Sequence, residues 1–142
     1  MEEPDAAVPA GLVWAVRHLV RGLENCNTLL FDAQEAFSGF DDKIQRIVAT
    51  SRLLERALRQ LSLADNEGQD DAIQVIVKDC SDAQTCLEDL ISGVGVDTAH
   101  PTAAKRMAES TWRLNESDVK RVIQQLEDAR SSIQQYFDMR RL

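Results

Sequence analysis

Glycine and proline are scarce, at six and three among 142 residues. That is too few turn-formers for the closely spaced strands of a sandwich or barrel. Histidine is scarcer still. His18 and His100 cannot by themselves build a zinc centre, and there is no Glu-x-x-His element for a di-iron bundle. Cysteine is limited to Cys26, Cys80 and Cys86, an odd count without disulfide-like density. The spacing of the last two fits neither a Cys-x-x-Cys redox pair nor a usual zinc site. Positive charge is in deficit too. Lys and Arg number 16 against 24 Asp and Glu, net −8. This argues against a nucleic-acid partner, because phosphate contacts along a duplex or strand need clustered cations.

Long apolar runs are also lacking. The longest near the start, Ala6 to Val16, contains Pro9 and Gly11 and falls well short of the about 20 residues a spanning helix needs. The opening Met1-Glu2-Glu3-Pro4-Asp5 is acidic where a secretory signal would be basic. The expected location is therefore the cytoplasm. Residues 1–9 are expected to form a flexible segment ahead of a single domain over residues 10–142.

What the chain does have is one rhythm, apolar residues spaced alternately four and three apart. It runs through Leu12, Val16, Leu19, Leu23, Cys26, Leu30, Ala33 and Phe37, with Pro9 suited to a first helical turn and Ser38-Gly39 to a stop. A second helix carries Phe40, Ile44, Ile47, Ser51, Leu54, Leu58 and Leu61, with Asp41 or Asp42 as its cap. An acidic loop over 65–71 ends on an aspartate placed to cap a third helix. That helix carries Ile73, Ile76, Cys80, Ala83, Leu87 and Leu90 and closes at Ser92-Gly93. Thr102 opens a short helix with Met107, Thr111 and Leu114. Asn115-Glu-Ser-Asp118 resembles a capping box whose first side chain serves the amide three residues on, so a break falls near Asn115. Val119, Val122, Leu126, Ala129, Ile133 and Tyr136 mark the last helix.

The fold class that follows is all-α: a four-helix bundle of long amphipathic helices, the last preceded by a short helix or kink. Its predicted core includes Leu19, Leu23, Leu30, Ile47, Leu54, Leu58, Ile76, Leu87, Val122, Leu126 and Ile133.

Among the side chains that could carry chemistry, adjacent acids such as Asp41-Asp42, Asp70-Asp71 and Glu88-Asp89 point in different directions on a helix and read as caps and solvated faces. Cys26 and Cys80 lie on apolar seams, where cysteine acts as a small hydrophobe; Cys86 lies off its seam and is a candidate surface thiol. No catalytic, metal-binding or cofactor-binding residue is expected, nor a small-molecule substrate. The first helix is more informative. Trp14, Arg17, His18 and Arg21 share the face opposite the apolar seam, and an indole flanked by arginines suits a contact that is apolar at one end and wet at the other. The competing expectation is that Trp14 packs beneath the N-terminus or against another helix. As an interface for membrane or partner the candidate set is Leu12, Val13, Trp14, Val16, Arg17, Leu19, Val20 and Arg21. Charge is uneven as well: residues 1–104 hold 8 bases and 18 acids, net −10, and residues 105–142 hold 8 bases and 6 acids, net +2. Such asymmetry suits head-to-tail self-association or docking on anionic lipid; the commoner origin is helix faces completing each other inside one bundle.

Three stretches carry a family likeness. They are IQRIVATSRLLERALRQL (Ile44–Leu61), CSDAQTCLEDL (Cys80–Leu90), and Trp112 to Val119 followed by Leu126-Glu127 and Ile133. In these the chain resembles the HeLo-like N-terminal domains of fungal NLR-type (STAND) and ankyrin-repeat proteins. The likeness covers about two-thirds of the chain and lies in helical patterns, not in catalytic signatures. It implies a non-enzymatic signalling module of the kind that acts in programmed cell death and heterokaryon incompatibility. Such a module works by self-association or a protein partner and, on activation, at an anionic plasma membrane. Relatives open with an apolar segment, whereas this chain opens MEEPDAAVPAG. The plainer alternative is a helical scaffold or adaptor that binds a partner helix without membrane activity.

Overall fold

A computed structural model describes residues 4–36, 42–63, 70–97, 100–110 and 113–140. It is all-α. Helices α1 (Pro4–Ala36), α2 (Asp42–Leu63), α3 (Asp70–Gly93) and α5 (Glu116–Arg140) are long, and a short α4 (Ala103–Glu109) precedes the last. α1 packs on α2 and α3, and α5 packs on the same two, so the four long helices form a square; α4 lies against α1.

Cross-helix contacts fix the directions. Glu24 meets Arg59, Asn27 meets Glu55 and Phe31 meets Arg52, a descending order that makes α1 and α2 antiparallel. Ser132 Oγ donates to Asp79 Oδ2 at 2.7 Å between α3 and α5, and Arg46 forks onto Glu116 between α2 and α5. The path is up, down, up, then down, with α4 bridging α3 to α5 across the outside of α1.

The apolar seams make the core. Every member of the predicted core is buried, as are Cys26, Cys80, Ala83, Val119, Ala129 and Tyr136. The structure departs from the sequence reading at element ends, each time for a local reason. α1 is already helical at Pro4, so Pro9 lies inside the helix and not in its first turn, and the backbone of residues 4–9 is helical. α3 already includes Asp70, which places Asp71 inside the helix and not at its cap. On α3 the seam steps from Leu87 to Ile91, fully buried, and leaves Leu90 half-buried. A strict 3.5-residue repeat drifts around a 3.6-residue helix, and the extra step corrects the drift. α3 does close at Gly93, but the left-handed turn that follows is taken by Gly95, at φ 83°.

α4 ends at Glu109, so Leu114 lies in the connection to α5, where it is buried; Thr111 and Trp112 lie outside the described residues, as do Phe37, Phe40 and Asp41. Asn115 caps α5 through the amide two residues on, not three: Oδ1 accepts from Ser117 N–H at 2.8 Å. At the top of α5, Arg46 Nη1 and Nη2 donate to the two oxygens of Glu116, each at 2.8 Å.

That fork holds the Glu116 carboxyl below the usual carboxylate range, chiefly through its hydrogen bonds to Arg46. A lowered carboxyl pKa contributes stability above the unfolded-state value and loses it as pH falls through the folded one. Glu116→Gln is therefore expected to lower the urea midpoint at about pH 7, and its difference from the parent is expected to shrink as pH falls through the lowered carboxyl pKa.

Candidate functional site

The outer face of α1 is divided along its length. Its C-terminal half, with Asn25, Thr28, Leu29 and Asp32, lines a groove of about 530 Å³ against His100, Pro101, Ala103 and Ala104 at the start of α4. Among the described residues the N-terminal half of the same face has no such cover. There Trp14 is 64% exposed and stacks on His18, with ring centroids 4.9 Å apart and planes 10° from parallel. Arg17 and Arg21 lie on the same face, both exposed, and neither makes an ion pair among the described residues. The positions 14, 17, 18 and 21 share one face because they fall one and two turns apart.

The other half of the candidate set points inward. Val16 and Leu19 are buried, and Val20 is half-buried against the core. The side chains of Leu12 and Val13 lie outside the described residues. The structure thus sorts the set into an exposed aromatic–basic group and an apolar group held in the bundle. The expectation that Trp14 packs against another helix is overturned, since its indole is spread along its own helix over His18.

Sequence pattern did not reveal a polar seam that joins α1 to α2. Asn27 is buried beside Cys26, and its Nδ2 donates to Glu55 Oε1 at 2.7 Å. Glu55 Oε2 accepts from Arg59 Nε at 2.9 Å, and Arg59 Nη2 reaches Glu24 at 2.9 Å. These bonds hold the Arg59 guanidinium firmly protonated, the Glu55 hydrogen bond contributing most. A second close approach occurs at Gly22, where an added Cβ would run into the Gln84 amide from α3. The bare glycine lets α1 and α3 pack with that amide between them.

Cys26 and Cys80 are buried, and burial pushes both thiols up to about 12, helped by the charges of Glu88 and Asp79 respectively. They are protonated packing groups at neutral pH. Cys86 is half-buried in a groove of about 490 Å³ between α3 and the start of α5, together with Asp89, Arg113, Asp118 and Arg121. Arg113 Nη1 donates to the Val94 carbonyl at 3.3 Å, and Arg121 pairs with Asp118 at 3.0 Å. Among the described residues no three His, Cys, Asp or Glu side chains gather as a metal site would require, and no helix is long and apolar enough to cross a membrane.

Comparison with known proteins finds no matching family model, no matching curated protein and no matching solved structure. The functional reading therefore rests on the residues themselves.

Proposed function

We propose that the chain is a non-enzymatic signalling and oligomerisation domain of the HeLo-like kind. It acts by self-association through the outer face of α1, and the same face meets an anionic membrane on activation. The observation that carries this reading is the division of α1. Trp14 lies exposed on His18, on one face with Arg17 and Arg21, which make no ion pair among the described residues, while Val16 and Leu19 of the same turns are held in the core. Indole and guanidinium together offer apolar area and charge at one contact, the combination enriched where binding energy concentrates. The buried group supplies further apolar surface in any state that releases α1, which makes two conformations with different exposed surfaces. The stretches Ile44–Leu61 and Cys80–Leu90, with their HeLo-like patterns, support the family half of the reading.

Trp14→Ala tests it. An exposed side chain away from the core should change folding stability by no more than about 0.5 kcal/mol. Sedimentation of the purified chain should show concentration-dependent association that the substitution weakens, and co-sedimentation with anionic liposomes should fall in parallel. Association and liposome binding both unchanged would remove α1 from the function.

One observation favours the adaptor alternative. Ala72, Val75, Ile76, Tyr136 and Met139 line an apolar groove of about 410 Å³ between α3 and α5, and Val75 and Met139 are exposed. Under that reading Val75→Ser, and not Trp14→Ala, would impair capture of a partner helix.

A further inference from the structure

We propose that the outer face of α2 binds a clustered phosphate anion through Arg52, Arg56 and Arg59. These three and Glu55 line a cavity of about 360 Å³. Elsewhere on the bundle Arg46, Lys78 and Arg121 are each neutralised by a carboxylate. Here Arg59 pairs with both Glu24 and Glu55. Arg52 and Arg56 make no ion pair among the described residues. Over these five side chains the charge sums to +1, in a chain of net −8.

Two of the three guanidiniums are pre-oriented. Arg59 is fixed by Glu55 and Glu24, and Arg52 lies over the Phe31 ring, 5.1 Å from its centroid. Arg59 has Nε and Nη2 taken by those carboxylates and offers Nη1, whereas the Arg52 guanidinium, held over the ring, loses less freedom when it forks onto an oxyanion. Seven residues separate Arg52 from Arg59, about 10 Å of helix. That length of helix face has room for two or three phosphates carried on one molecule. The shared ligand chemistry is thus a multiply phosphorylated group, soluble or on a lipid. The site lies on α2 and does not rest on the reading of α1.

The test uses the full chain at low salt, where exposed charges are least screened. One arm titrates sodium tripolyphosphate by calorimetry. The other sediments the protein with phosphatidylcholine vesicles carrying phosphatidylinositol bisphosphate. Binding is expected in at least one arm, and the positive arm identifies the source. Arg52→Gln/Arg56→Gln should weaken it at least about tenfold, since each lost guanidinium removes a charge-assisted contact. Arg56→Gln alone, which disturbs no contact in the fold, should weaken it in the same direction; Arg130→Gln, on α5, should not. No binding in either arm, equal binding by the double variant, or an equal loss in Arg130→Gln would overturn the proposal.

Discussion

Leu126→Ala is expected to destabilise the bundle by about 2–5 kcal/mol, the range for deleting a buried leucine and leaving a cavity. Leu126 is fully buried on α5, the helix that closes the square against both α2 and α3. Its neighbours along the seam, Val122, Ala129 and Ile133, are buried as well, so little flexible surface can collapse into the space. A domain of this size is stable by only about 5–15 kcal/mol, so the change should be plain in the denaturation midpoint. An unchanged midpoint would mean that the α5 seam does not face the core.

Ser51→Ala is expected to act in the opposite direction, raising stability by about 1–2 kcal/mol. Ser51 occupies a seam position on α2 and is completely buried, and its Oγ has no hydrogen-bond partner among the described residues. Folding strips water from that hydroxyl and returns nothing, whereas alanine is the better helix former and has no polar atom to desolvate. Urea denaturation of the two proteins side by side checks it. A loss of stability on substitution would mean that the hydroxyl bonds back to the preceding turn and contributes to the helix.

Much of this architecture was legible because a seam is a local property. Val16, Leu19, Leu23, Cys26, Leu30 and Ala33 follow from spacing alone, and each is buried. Ser51 was legible in the same way, as a seam position that spacing assigned in spite of its hydroxyl. What spacing could not supply was the register between helices. The bonds of Arg59 to Glu24 and of Arg46 to Glu116 join residues 35 and 70 apart, and nothing in either helix singles out its partner. Val94 and Val96, buried in the connection after α3, were missed because a loop has no periodicity to mark an inward side. At the candidate surface, spacing placed Trp14, Arg17, His18 and Arg21 together. The Trp14–His18 stack and the cover that α4 gives the far half of that face required the three-dimensional structure.

The separation of α1 into a folding half and a contact half is tested most directly by measuring unfolding and self-association on the same samples of Trp14→Ala and Leu19→Ala. Trp14→Ala should keep the parent's urea midpoint and lose concentration-dependent sedimentation. Leu19→Ala, which truncates a buried seam residue, should lower the midpoint by the cost of a core cavity, about 2–5 kcal/mol. A large loss of stability in Trp14→Ala, or full association retained by it, would contradict the division of α1 between the core and its contacts.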